Sequence, residues 1–332
     1  VAFLTRKVAR PIIRNEWIGK FEAVHGPVRN HVKLSTTLCI QEHGMKGRIC
    51  VVTGANSGIG KVTALELAKA GARVVMVCRN PERGAEALEE IRGKSSSPNV
   101  ELMIADLASF DSLRSFREEF AARHDVVDVL VNNAGLYVPT FQESEDGHEL
   151  SFAVNHLGTY MITMSVMEQL KAADAARVVV VSSAMHRLGD KNVGAAQRSF
   201  YHGMLAYADA KLANILFTYE LARLCKDLNI TANCVHPGVV RTGFGADYPG
   251  VLNNLIGLTR IFYSSPERGA RGSVFLASDP SVKEITGRDF VGRKRRQSSR
   301  ASRCPDAASR LWKLSADLTG MDLKDGIIVS KA

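Results

Sequence analysis

From Lys46 onward, short apolar runs rich in β-branched residues alternate with longer segments whose apolar positions recur every three or four residues. The runs Arg48–Thr53, Arg73–Cys78, Val100–Ala105, Val127–Val131, Arg177–Ser182 and Thr231–Val235 read as strands. The segments Gly60–Ala70, Glu82–Ile91, Ser109–Arg123, Leu150–Leu170 and Tyr207–Leu224 read as helices, the first closed by Gly71. The strands are continuously apolar rather than alternating, which requires burial on both faces and points to a parallel sheet. Strand–helix alternation then predicts an α/β fold built on a doubly wound parallel sheet. No internal repeat or long linker interrupts the pattern, so a single domain is expected over residues 45–332.

The first 44 residues break this pattern. They have no clean periodicity, contain Pro11 and Pro27, and precede the first methionine, Met45. They read as an extension, flexible or outside the functional domain. An organellar presequence is the weaker reading, because Glu16 and Glu22 count against it.

Charge changes the picture less than its total implies. The net charge is +9, but residues 1–44 carry seven Lys/Arg against three Asp/Glu, and the run Arg293–Arg303 carries six basic residues and no acid. Removing +4 and +6 leaves 9 − 10 = −1 for the rest of the chain. The body is near neutral, and the basic run has no aromatics on which bases could stack, so no nucleic-acid partner is expected. The run reads as a solvated surface connection. The six cysteines form no CxxC pair and no cluster with zinc spacing, so no metal site is expected. This usage fits a reducing, cytoplasmic compartment. No stretch approaches the ~18 apolar residues of a transmembrane anchor.

The first strand runs into Thr53-Gly54-Ala55-Asn56-Ser57-Gly58-Ile59-Gly60. A glycine-rich turn between a strand and a helix lets the backbone approach a phosphate and offers it the free N–H groups of the helix N-terminus. Gly54, Ser57, Gly58, Ile59 and Gly60 are therefore candidate cofactor contacts. A P-loop competes for the same residues, since Gly60-Lys61 is suitably placed. The next residue is Val62, where that motif needs Ser or Thr for Mg²⁺. The second strand ends Val77-Cys78-Arg79. An NAD site commonly places an acid there to bind the ribose 2′-hydroxyl. Cys78 cannot do so, and Arg79 suits the 2′-phosphate of NADP.

Tyr207 and Lys211 are four apart in a helical segment and so share a face. A nearby ammonium stabilises phenolate, which would bring the phenol toward working pH and make it a proton shuttle. The pair means little alone. It gains meaning from following a nucleotide-binding half and the strand Val178-Val179-Val180-Val181, which ends in Ser182-Ser183. Ligands of open α/β sheets bind beyond the carboxyl ends of the strands, where such a serine can donate to a carbonyl oxygen.

Together these pieces resemble a short-chain dehydrogenase/reductase, and within that superfamily its retinol dehydrogenase-like members. The resemblance rests on Thr53–Gly60, Cys78-Arg79-Asn80, Asp106-Leu107, Asn132-Asn133-Ala134-Gly135, Val154-Asn155-His156-Leu157-Gly158, Ser182-Ser183, Tyr207–Asn214 and His236–Thr242, in that order over roughly residues 45–320. It implies a Rossmann-like fold, NADP as cofactor and a catalytic tetrad of Asn155, Ser183, Tyr207 and Lys211. In it Ser183 orients the substrate carbonyl and Tyr207 exchanges the proton. Lys211 lowers the tyrosine pKa and holds the nicotinamide ribose, and Asn155 holds a relay water. It further implies contacts of Asp106 with adenine, Asn133 with the adenine-side ribose, and Val240 and Thr242 with the carboxamide. The chain departs from these relatives at Leu188–Met204, which lacks their acidic Asp-Leu element, and residues 1–44 supply none of the amino-terminal membrane anchor that such relatives often carry. His156 and His186, both near the site, read as structural.

The reading is an NADP(H)-dependent oxidoreductase interconverting a carbonyl and an alcohol. Phe244–Phe262, apolar with glycines, suits a lid over an apolar substrate. A catalytically idle NADP-binding scaffold and a P-loop NTPase are the alternatives. A homo-oligomer is compatible with the sequence, which does not specify one. Arg79→Asp should weaken NADPH binding far more than NADH binding in a fluorescence titration; equal losses would refute the NADP assignment.

Overall fold

The computed structural model describes residues 44–193, 201–238, 265–324 and 326–330. Val240, Thr242 and the proposed lid lie outside them, as does the extension up to residue 43. Seven strands run parallel: β1 (Ile49–Thr53), β2 (Arg73–Cys78), β3 (Val100–Ile104), β4 (Val129–Asn132), β5 (Ala176–Val181), β6 (Ile230–His236) and β7 (Arg288–Val291). Their order across the sheet is β3-β2-β1-β4-β5-β6-β7, so the winding reverses between β1 and β4. A crevice opens at such a reversal, beyond the carboxyl ends of the two strands.

The continuous apolar runs have the predicted cause. Successive residues of a strand point to opposite faces, and both faces here are covered. Val51, Val75 and Val77 join one core with Phe116 and Phe120 of α3 (Phe110–Arg123). Val52, Val74 and Met76 join the other with Leu67 of α1 (Gly58–Lys69) and Ile91 of α2 (Pro81–Ser95). Local chemistry sets the helix starts. Asn80 accepts a hydrogen bond from the Arg83 N–H at 2.8 Å with Pro81 at the first helical position, and Ser109 accepts from the Ser112 N–H.

Three expectations are corrected. Leu150–Leu170 is not one helix. It comprises α4 (Leu150–Phe152), a π-turn (Ala153–Leu157), α5 (Gly158–Ser165) and α6 (Met167–Lys171), with Val166 (φ −109°, ψ 15°) breaking the last two. Apolar spacing does not register one extra residue in a helical turn. The helix carrying Tyr207, α7 (Gly203–Leu224), begins a turn earlier than predicted. A Cβ at Gly203 would lie 2.2 Å from the Val138 carbonyl oxygen, so the close approach depends on glycine.

The basic run is not wholly a loop. After α8 (Pro266–Ser278) and β7, Lys294–Arg296 form β8, antiparallel to β7 at the sheet edge. All three β8 residues are exposed, so hydrophobic pattern carries no signal for this strand; charge on an edge also discourages further pairing. Beyond it, α9 (Pro305–Thr319) packs Trp312 face-on against Phe217 of α7, with ring centroids 5.7 Å apart. The hairpin β9 (Met321–Lys324) and β10 (Ile327–Ser330) follows, and Tyr160 donates to the Met321 carbonyl at 2.8 Å. The five described cysteines are free thiols. Among the described residues no helix is long and apolar enough to cross a membrane.

Two fully buried histidines tie stability to pH. Burial lowers His156 to about 3 and His186 to about 4. Both stay neutral in the folded chain where unfolded histidine charges below about 6.5. The unfolded state then holds more protons, so stability falls as pH drops from about 6.5 toward 4. Burial raises Asp289 to about 6, which opposes this between about pH 6 and 4. The histidines outweigh it, and thermal unfolding at pH 5 should show a net loss on the order of 2–3 kcal/mol relative to pH 7. A melting temperature that stays constant or rises over this range would contradict the assignment.

Candidate active site

The turn between β1 and α1 lies at the reversal of the sheet. Gly54 (φ 64°) and Gly58 (φ 53°) adopt left-handed backbone, which explains both glycines directly. Gly60 serves closeness instead. A Cβ there would meet the Gly54 carbonyl oxygen at 2.3 Å and Asn133 Nδ2 at 2.4 Å. Ser57, the residue preceding α1, is exposed and makes no side-chain cap bond, and the first turn of α1 holds no acid. The positive end of the helix therefore faces outward without a carboxylate of its own, a suitable cradle for a pyrophosphate. The described residues thus fit a dinucleotide at this edge.

Around the turn, Cys78 packs beneath it, with the backbone N–H groups of Ala55 and Asn56 directed at its thiol; burial pushes that thiol up to about 11. Arg79 is exposed at the same edge. Asp106 follows β3, half-buried, and accepts from the Ala108 N–H at 2.9 Å. Asn133 Nδ2 donates to the Thr53 and Gly54 carbonyls, at 2.9 and 3.4 Å. Its amide nitrogen thus stabilises the turn. Lys61 is turned onto Glu90 of α2, Nζ to Oε2 2.6 Å, away from the role a P-loop lysine would play.

The four residues of the expected tetrad come from three places: the π-turn, the end of β5 and α7. Asn155 sits inside the π-turn and is fully buried. A π-turn inserts one residue into a helix, and such turns recur at functional sites. The Asn155 amide is bound at both ends by one residue: Oδ1 accepts from the Leu136 N–H and Nδ2 donates to the Leu136 carbonyl, each at 2.8 Å. Its side chain thus holds the Gly135–Leu136 backbone. A Cβ on exposed Gly135 would lie 2.7 Å from Asn155 Oδ1 and 3.0 Å from Lys211 Nζ, so these groups line one recess.

Lys211 is 3% exposed, and Nζ donates to the Val181 carbonyl at 3.1 Å. Ser182 fixes the same stretch of helix by donating to the Lys211 carbonyl at 2.8 Å. Lys211 Nζ lies 5.6 Å from the centroid of the Tyr207 ring. The Ser183 hydroxyl is hydrogen-bonded to the Tyr207 phenol and itself accepts from the Met185 N–H at 3.3 Å.

Desolvation dominates the electrostatics of both groups. Burial raises the Tyr207 phenol to about 12, while Ser183 pulls it down, and burial lowers Lys211 to about 8. Desolvation disfavours the charged form of each group, phenolate and ammonium alike. A phenol raised to about 12 is protonated at neutral pH. Tyr137, missed by the sequence reading, stands edge-on to Tyr207 with centroids 6.2 Å apart. Its position two residues beyond Gly135 in the Asn-Asn-Ala-Gly turn was the available signal. His156 is structural as expected: Nε2 is 2.7 Å from the Ser315 hydroxyl of α9. A separate cavity of about 890 Å³, lined by Tyr219, Asp289, Arg296 and Cys304 among others, contains none of the predicted site residues.

Comparisons with known proteins agree with this architecture. Residues 48–249 match the family model described as short chain dehydrogenase. The chain is 38% identical over 294 residues to retinol dehydrogenase 14 of Homo sapiens, covering 83% of this chain and 88% of that protein. It is 37% identical to human retinol dehydrogenase 11, with 87% and 91% covered. A solved structure of an uncharacterized protein from Mycobacterium paratuberculosis superposes with a TM-score of 0.67 at 30% identity, covering 84% of this chain and 96% of that one. A short chain dehydrogenase from Escherichia coli CFT073, solved with NADPH, shares the fold with a TM-score of 0.62 at 23% identity, over 76% of this chain and 100% of that one. The chain belongs to the short-chain dehydrogenase family, among its retinol dehydrogenase-like members, and is an oxidoreductase of alcohol and carbonyl groups.

Proposed function

We propose that this chain is an NADP(H)-dependent reductase of aldehydes or ketones on apolar molecules, with Tyr207 as the proton donor. The observation that carries the reading is the convergence of Ser183, Tyr207 and Lys211 at the carboxyl ends of the strands, beside the glycine turn. The nicotinamide would supply or accept the hydride when bound.

The chain's own residues do the rest. The Ser183 hydroxyl orients the carbonyl oxygen, and Tyr207 gives its proton to the alkoxide as it forms. A phenol held at about 12 is well suited to remain protonated until that moment. Lys211, anchored on Val181, presents its ammonium to the recess it shares with Gly135, where a ribose hydroxyl would meet it. Asn155 keeps the Gly135–Leu136 backbone in place beneath that recess.

Support for NADP comes from the end of β2, where Cys78 stands in place of an acid and Arg79 is free to meet a 2′-phosphate. Support for an apolar substrate comes from the named relatives, since retinol is a largely hydrocarbon primary alcohol. The glycine-rich apolar stretch Phe244–Phe262 suits a cover for such a molecule.

NADPH oxidation should be followed against a panel of aliphatic, aromatic and polyene aldehydes and ketones. Turnover is expected on apolar members, and Tyr207→Phe should lower kcat by about 10²–10⁴-fold while NADPH still binds. Activity surviving in Tyr207→Phe would overturn the mechanism. Tight NADPH binding with no turnover on any carbonyl would favour the idle scaffold instead.

A further inference from the structure

His186 is the residue that connects the candidate catalytic serine to a distant part of the chain. It lies in the 3₁₀ turn Ala184–Leu188, three residues after Ser183, and is fully buried. Its Nδ1 is 2.7 Å from the Ser183 carbonyl oxygen. Its Nε2 receives the backbone N–H of Ser299 at 3.3 Å.

These two partners determine the ring's protonation. A backbone N–H only donates, so Nε2 must carry a lone pair. A carbonyl oxygen only accepts, so Nδ1 must carry the proton. One neutral tautomer satisfies both contacts, and a protonated ring would set an N–H against the Ser299 N–H.

Ser299 is itself well held. Ser302 donates to the Ser299 carbonyl at 2.8 Å, and Tyr219 of α7 donates to the neighbouring Ser298 hydroxyl at 2.8 Å. Arg187, next to His186, donates to the Gln297 carbonyl at 3.0 Å. The segment 297–302 thus forms an arch fastened both to α7 and to the turn that follows Ser183. Without the His186 ring, the Ser183 carbonyl would keep the short-range bond from the backbone N–H of residue 186, at 3.0 Å within the same turn.

We propose that His186 is a positioning residue, which fastens the Ser183 turn to the 297–302 arch and so aims the Ser183 hydroxyl at Tyr207. This assignment rests on the reading of Ser183 and Tyr207 given above. The basic run therefore contacts the chemistry indirectly, through the Ser299 backbone rather than through its charges.

Three variants separate the two arms of the imidazole. His186→Asn keeps a donor near the Nδ1 position, and His186→Gln keeps an acceptor near the Nε2 position. His186→Ala keeps neither. For His186→Ala, kcat should fall about tenfold to a hundredfold, as for other misplacements of a catalytic group, with the NADPH dissociation constant unchanged. His186→Asn should recover more of kcat than His186→Gln. The Ser299 amide should exchange faster with solvent in His186→Ala and His186→Asn than in the wild type. A kcat within twofold of wild type in His186→Ala, equal kcat in the Asn and Gln variants, or a parallel loss of NADPH affinity would overturn the proposal. Should the wild type reduce no carbonyl, the function fails first. The ¹⁵N resonances of the His186 ring at pH 7 then decide the clamp by themselves: an Nδ1–H neutral tautomer supports it, and an Nε2–H or protonated ring overturns it.

Discussion

The ends of β1 and β4 are joined by a small set of hydrogen bonds on which both halves of the site depend. The Thr53 hydroxyl accepts from the Asn133 and Ala134 N–H groups, each at 3.0 Å, and Asn133 Nδ2 returns to the Thr53 and Gly54 carbonyls. One side of this junction is the glycine turn that leads into α1. The other is Gly135, whose missing Cβ leaves room for Asn155 and Lys211. Moving the junction would shift the glycine turn and the recess together. The reversal of strand order at β1 and β4 is what brings the two sides together.

From that junction outward, the site is assembled from positions that conflict with simple helix or core preferences. A lysine and an asparagine are buried where apolar residues would pack more cheaply. The asparagine occupies a π-turn, and the lysine is held by a strand carbonyl. Desolvation then pushes Tyr207 and Lys211 in opposite directions, the phenol upward and the ammonium downward. The result keeps a proton on the tyrosine, which fits protonation of an alkoxide. Such departures from local preference are expected at functional sites.

Much of the fold was legible because its signals are local or periodic. β2 occupies the predicted Arg73–Cys78, since two-sided burial makes an entire strand apolar. Ser109 and Asn80 mark helix starts through their own backbone bonds. The interruptions in Leu150–Leu170 were not legible, because a π-turn preserves apolar character on every side of a buried helix. β8 was hidden for the opposite reason, being wholly charged and identified only by its pairing with β7.

What the sequence determined by itself was composition at key positions: glycines at the turn, no acid after β2, and the order of Asn155, Ser183, Tyr207 and Lys211. Those are chemical identities, and identity is written residue by residue. Only the tertiary structure decided what each residue does with its partners. It assigned Asn155 to the Leu136 backbone, Asn133 to the glycine turn, Lys61 to Glu90 and His186 to Ser299. It also set how strongly Tyr207 and Lys211 are desolvated, because desolvation depends on what surrounds a group in space and not on what lies four residues away.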